Sequence, residues 1–219
     1  MTLRLFYHPL SSYCWKVLIA FYENDIPFEG VLLDNAEAAA DLQALWPIAR
    51  FPLLRDEKRS ATVAEASIII EYLGTFHPGA FTPIPADADS AIEVRLMDRL
   101  FDNYVMTPMQ AIVSDHIRPA GTQDPYRVQE ARALLAKAYA LLEERITGRA
   151  WAAGEAFTLA DCAALSALFY ADKVVPFRAS HPALATYLAR LEARPSIARV
   201  LAEKEPVWDM FPFAGGPPA

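Results

Sequence analysis

Residues 3–23 read LRLFYHPLSSYCWKVLIAFYE, and the change of pattern partway through this stretch sets the kind of fold that follows. LRLFY is short and apolar, as a strand is, whereas WKVLIAFYE repeats apolar side chains at helical spacing. HPLSSYC between them supplies turn and capping residues. The turn-prone NDIP (24–27) and a second strand-like run, FEGVLL (28–33), then complete a βαβ opening. Within it, SSYC (11–14) has the spacing of a Cys-x-x-Cys redox pair whose first sulfur has become oxygen.

A serine at a strand-to-helix junction lies among backbone amides that the first helical turn cannot use, at the positive end of the helix dipole. Its hydroxyl can cap the helix, or it can donate to a negatively charged sulfur brought by a ligand. It cannot form a disulfide, and no Ser–His–Asp set can be read from the spacing, although His8 is close in sequence. Ser11 and Ser12 are the candidates, with Tyr7 at the strand end as a rival hydroxyl. Cys14 falls in the first helical turn, where packing is the ordinary role. A free thiol titrates near pH 8.5, and each unit of depression corresponds to about 1.36 kcal/mol in favour of the thiolate.

Outward from this opening, a helical run AEAAADLQALW precedes Pro47, FPLLRD gives a short strand, and EKRSA turns into ATV. AEASIIIEYLGTFHPG then reads as a helix stopped near Gly74 and Pro78. The stretch PGAFTPIPADAD (78–89) carries three prolines and no long period, the grammar of a connector. Beyond it residues 90–116, 125–147, 158–173 and 182–203 all repeat at three and four. The expectation is therefore an α/β domain over residues 1–78, a linker over 79–89 and an all-α domain over 90–219. In FTLADC, Thr158 and Asp161 have capping-box spacing, which makes Asp161 structural.

Composition narrows the function. The chain carries 27 acidic against 20 basic residues, a formal charge of -7, and no basic cluster, so it has no electrostatic footprint for nucleic acid. Only two cysteines and four scattered histidines are present, with no metal-ligand pattern. No stretch approaches the roughly 18 consecutive apolar residues of a membrane helix, and MTLRLFYHPL lacks the features of a secretory signal. No metal, no nucleic acid, no membrane and a cytoplasmic location are the expectations.

Two further stretches suggest a ligand. In WPIARFPLL (46–54), Phe51–Pro52 enters a short strand. A trans bond is the default, but a cis bond would leave the Phe51 amide and carbonyl on an open edge where an extended peptide can pair. Arg50 is placed to meet a carboxylate. In AEASIIIEYL (64–73), Glu65 can bind an ammonium group, and the amides of the helix start can bind a carboxylate. A thiolate donor, a backbone edge and a clamp for charged ends together fit a short thiol peptide.

In this order, SSYCWKV (11–17), RFPLL (50–54), EASIIIEYL (65–73) and FTLAD (157–161) resemble the glutathione transferase superfamily over essentially the whole chain. The resemblance implies a thioredoxin-like N-terminal domain followed by the family's helical domain. SSYCWKV is most similar to the serine-type classes, zeta in particular, so the thiolate-stabilising role passes to Ser11, with Ser12 beside it. A serine where omega and glutaredoxin-like members have cysteine argues against thiol–disulfide chemistry. Pro52 matches the family's cis-proline, Phe51 the backbone partner of the cysteinyl unit, Glu65 the γ-glutamyl contact and Arg50 the glycyl end. Two departures stand out: Ala66 occupies the place of the family's serine, leaving Ser67, one position late, as a candidate glutathione contact, and Trp46 replaces a polar residue. The resemblance also implies a homodimer and a pocket for a small hydrophobic electrophile lined by Tyr13, Tyr104 and Met106, with Val105 and Met109 as further candidates. The implied reaction is conjugation of glutathione, used as co-substrate, with that electrophile. The alternatives are glutathione-dependent isomerisation of a maleyl-type substrate and a non-catalytic interaction protein on the same scaffold.

Overall fold

The structure, a computed structural model, describes residues 2–217. Its first part follows the order β1 (Leu3–Tyr7), α1 (Ser12–Glu23), β2 (Glu29–Leu32), α2 (Ala36–Leu45), β3 (Leu53–Asp56), β4 (Ala61–Ala64) and α3 (Ala66–Phe76). The strands form one mixed sheet in the order β2-β1-β3-β4. β1 and β2 run parallel, while β3 pairs antiparallel with β1, Leu54 opposite Leu5, and β4 antiparallel with β3. Alternation in β1 explains how the sheet is covered. Leu3 and Leu5 join the main core with α1 and α3, whereas Phe6 joins Leu42 and Leu53 in a small cluster under α2. This is the thioredoxin-like arrangement that the resemblance implied.

The second part is all helical: α4 (Ala88–Leu100), a π-helical segment (Phe101–Met106), α5 (Thr107–His116), α6 (Pro125–Ile146), α7 (Leu159–Val174), α8 (Pro182–Glu192), α9 (Pro195–Glu203) and a final 3₁₀ turn (Glu205–Met210). α7 is buried on nearly every side. Ala160, Ala163, Ala164, Ala167 and Ala171 are all fully inaccessible, which lets its neighbours approach closely. α1 packs directly on it, with Trp15 against Phe169 and Tyr170, so one continuous core spans both parts. Asp161 serves α7 as expected. Its carboxylate accepts from the Thr158 amide at 2.8 Å and hydroxyl at 3.1 Å, and also from the Ala152 amide at 2.8 Å and the Tyr187 hydroxyl at 2.6 Å.

Local details differ from the sequence reading in three places. The periodic run 90–116 is one rod interrupted by the π segment. The run 182–203 is two helices because Pro195 pushes Arg194 to extended backbone, at φ -74° and ψ 133°. Gly74 does not stop α3 but lies inside it. A Cβ there would fall 2.5 Å from the Pro83 ring, whose own carbonyl is held by the Leu159 amide, so the glycine admits the connector against the helix.

Candidate active site

The loop between β1 and α1 is pinned by two buried aromatics. Trp15 Nε1 donates to the Pro9 carbonyl at 2.6 Å and the Tyr170 hydroxyl to the Leu10 carbonyl at 2.7 Å. Within the loop the Leu10 amide donates to His8 Nδ1, and the Ser11 amide to the His8 carbonyl. Held this way, Ser11 becomes the N-cap of α1, and its Oγ accepts from the Cys14 amide at 3.3 Å. The Ser11 hydroxyl lies at the edge of the cleft and also beside the Cys14 thiol, whose ionised form its hydrogen bond favours. The Ser12 and Tyr13 amides have no acceptor among the described residues, as expected of a first helical turn. His8 is turned to the loop backbone and does not act as a base for Ser11.

Ser11 opens onto a cleft of about 580 Å³ whose walls come from both parts of the chain. The thioredoxin-like part contributes Ser11, Tyr13, Trp46, Arg50, the Phe51–Pro52 pair and Glu65; the helical part contributes Arg99, Asp102, Asn103 and Gln110. The Phe51–Pro52 bond is cis. Phe51 is exposed, and its amide and carbonyl make no turn or loop hydrogen bond among the described residues. Glu65 caps α3 with φ 71° and ψ 120°, in the region that favours glycine, and its carboxylate makes no capping bond. Such backbone is held only where the surroundings impose it, which is common at ligand sites.

Beneath the cleft lies a buried charge network. Lys16, fully inaccessible in α1, donates at 2.8 Å to both Asp98 and Asp102 and at 3.0 Å to Ser67. Arg99 reaches the same two carboxylates from the cleft side. Burial raises the Asp102 carboxyl, and the neighbouring Asp98 adds to the rise. For Asp98 burial is the largest influence, but Lys16 and Arg99 together outweigh it and hold the carboxyl low. Asp102 Oδ1 is the buried side-chain polar atom with no partner among the described residues, and Asp102 lines the cleft.

The structure brings together Ser11, Tyr13, Arg50, Phe51, Pro52 and Glu65. It sends others elsewhere. The Ser67 hydroxyl donates to Asp98 and accepts from Lys16 and Arg99, so it belongs to the network beneath the cleft. Met106 and Val105 are fully inaccessible, and Tyr104 lines a separate apolar hollow of about 260 Å³ between α4 and α6. Tyr7 packs its ring over Gly30, away from the cleft lining, and burial and Glu203 raise its pKa. Burial pushes the inaccessible Cys14 thiol up to about 12, which makes it a poor nucleophile.

A second cavity of about 420 Å³ adjoins the first and shares Ser11, Tyr13, Arg50 and Gln110 with it. Its remaining walls are Leu10, Ser12, Met109, Val113, Ser114 and Tyr170, closed by Phe211 and Pro212 from the C-terminal segment. Sequence reasoning missed Arg99, Asp102, Asn103, Gln110 and the C-terminal wall. The only hint was an Asp or Arg on the apolar-periodic run 90–116, which helical periodicity assigns equally well to solvent.

Both parts of the chain are similar to known proteins. Residues 5–81 match the glutathione S-transferase N-terminal domain model, and residues 100–195 match the C-terminal domain model. A glutathione S-transferase of Pseudomonas putida is 26% identical over 209 residues, 93% of each chain. FtsZ-localized protein A of Caulobacter vibrioides is 26% identical over 210 residues, 92% of each chain. A glutathione S-transferase of Methylobacillus flagellatus, solved with glutathione bound, superposes with a TM-score of 0.82 at 27% identity, covering 90% of this chain and 98% of its own.

Proposed function

This chain belongs to the glutathione transferase superfamily, and on that footing we propose that it conjugates the glutathione thiolate to a small electrophile, with Ser11 as the residue that holds the sulfur. The observation carrying this reading is the start of α1, where the Ser11 hydroxyl and Tyr13, whose amide has no acceptor among the described residues, share a cleft with the open Phe51 backbone. A peptide paired along Phe51 runs its cysteinyl sulfur toward these donors, in the positive field of the helix end. Its γ-glutamyl ammonium then meets Glu65 and the unpartnered Asp102 Oδ1, and the amides at the start of α3 take the adjacent carboxylate. Ala66 lacks the hydroxyl that the family's serine donates to the γ-glutamyl carboxylate, so that carboxylate depends on the α3 amides, while Asp102 serves the ammonium.

In the reaction the thiol proton passes to solvent and the thiolate, stabilised by donation from Ser11, attacks the electrophilic carbon held in the adjoining cavity. Holding both reactants in contact contributes more than the shift in thiol pKa. The similarity of SSYCWKV to serine-type, zeta-like members supports the same assignment.

The test is a pH titration of thiolate absorbance for protein-bound glutathione in wild type and Ser11→Ala, with occupancy measured in parallel. A hydrogen bond to a charged acceptor is worth roughly 1.5–3 kcal/mol, so the bound thiol pKa should rise by about one to two units in the variant. Retained binding with an unchanged pKa would remove Ser11 from the mechanism.

We also propose a homodimer. Exposed Ile68 on α3 lies one turn from Glu71, which bridges to Arg95 on α4 beside exposed Ile92 and Leu96. Ile68, Ile92 and Leu96 are thus exposed apolar side chains around an ion pair, and Leu100, one turn beyond Leu96, lines the hollow at Tyr104, a surface suited to burial against a second copy. Light scattering should return twice the monomer mass. The Caulobacter relative, named for its localisation, favours a second reading in which the scaffold serves protein association. Absence of glutathione binding in the titration would put that reading first.

A further inference from the structure

Of the two serines that open α1, only Ser11 borders the glutathione cleft. Ser12, the first residue of the helix, lines the second cavity alone. It is 7% exposed, and its hydroxyl has no hydrogen-bond partner among the described residues. Burying a hydroxyl without a partner costs free energy, so one that lines a cavity is a donor available to the occupant.

The other polar groups around this cavity are committed or shared. The Tyr170 hydroxyl donates to the Leu10 carbonyl. Tyr13, Arg50 and Gln110 also line the glutathione cleft, and the Tyr13 hydroxyl lies in the field of Asp102, Arg99 and Glu65. Ser114 is exposed and meets solvent, while Met109, Val113 and Phe211 supply an apolar wall. Ser12 is therefore the buried donor that belongs to the second substrate and not to glutathione. It also sits at the positive end of α1, where its own amide has no acceptor among the described residues, so negative charge arising beside it is stabilised.

We propose that Ser12 is a second catalytic residue, donating to an oxygen of the electrophile on which negative charge gathers as the sulfur attacks. This inference rests on the transferase reading and narrows its second substrate to apolar compounds activated by a conjugated carbonyl. In the step, the thiolate sulfur bonds to the β-carbon of an enone, the π pair of the C=C bond moves toward the carbonyl, and the enolate oxygen accepts from Ser12. The α-carbon then takes a proton from solvent, which balances the one that the thiol released. Ser11 thus holds the sulfur, and Ser12 holds the charge that leaves it.

Two probes test it, benzylideneacetone and benzyl chloride, each with saturating glutathione. Benzyl chloride carries a similar apolar ring, but substitution by sulfur expels chloride with the bonding pair of the C–Cl bond and builds no charge on oxygen. The quantity read is the ratio of kcat/KM for the enone to that for the halide, in wild type and in Ser12→Ala, so the intrinsic reactivities cancel between the two proteins. Alanine takes no hydrogen bond from the protein and suits a helical position, so the fold is kept. The ratio should fall about ten- to a hundredfold in Ser12→Ala, the worth of a hydrogen bond to a charged oxygen, while the bound thiol pKa stays where it is. Where wild type turns over the enone alone, the same fall in its own kcat/KM supports the proposal. An unchanged ratio, or wild-type turnover of the halide alone, would overturn the proposal and leave the transferase reading standing. A rise in the bound thiol pKa would assign Ser12 to the glutathione sulfur and overturn it equally. Turnover of neither probe, with glutathione bound, would overturn both.

Discussion

Replacing Lys16 with methionine should damage this protein more at alkaline than at acidic pH. Lys16 is fully inaccessible and contacts Asp98 and Asp102 at 2.8 Å each; those side chains are 3% and 9% exposed. With Arg99, the cluster holds two positive and two negative charges. Methionine preserves the volume of the aliphatic stem but leaves one buried negative charge uncompensated. Removing one partner from a buried pair costs roughly 3–5 kcal/mol, and the half-exposed Arg99 keeps the expected loss near the lower end, about 3 kcal/mol. The pH dependence follows from Asp102, whose carboxyl is already raised by burial and by Asp98. Without Lys16 its folded pKa climbs further above the unfolded value. Such a group contributes stability below its unfolded pKa and loses it as pH rises through the folded pKa. The difference between wild type and Lys16→Met should therefore be small near pH 5 and approach its full size near pH 8. Urea unfolding at both pH values measures it, and Asp98→Asn added to Lys16→Met should recover part of the loss at pH 8. A loss below about 1 kcal/mol at pH 8, or one of equal size at both pH values, would refute the account of this network.

Two further outcomes follow from buried groups. Asp161→Asn turns an amide toward donors that now meet a carboxylate oxygen, so it should lower unfolding free energy by roughly 2–4 kcal/mol, read by urea titration, without moving the bound thiol pKa. Cys14 and Cys162 are inaccessible and burial raises both thiols, so iodoacetamide should leave each unmodified in the native protein at about pH 8 and label both after denaturation, by intact mass. Rapid native labelling of Cys14 would revive a thiol-reductase role.

Much of the fold could be read along the chain because its signals are local. The alternation in LRLFY, the capping serine before WKVLIAFYE and the Thr158–Asp161 spacing each specify their element within a few residues. The helix at Gly74 could not be read that way, since the reason for that glycine is Pro83, which approaches it only after folding. Of the cleft, the sequence offered Ser11, Phe51, Pro52 and Glu65, because each has a backbone role that its neighbours reveal. Ser67 was credited to the ligand and instead joins Lys16, a contact 51 residues distant along the chain.

By itself, then, the sequence determined the α/β-then-helical order and the serine cap at the start of α1. Only the tertiary structure decided which charges meet beneath the cleft and what lies across from Ser11. Lys16 and Asp102 are 86 residues apart, and Phe211 reaches the second cavity from the far end of the chain. Hydrophobic periodicity records that a side chain is buried or exposed, but not which partner it is buried against. That choice belongs to the packing of α1 on α7, and it sets two ordinary-looking aspartates and a lysine beneath the cleft.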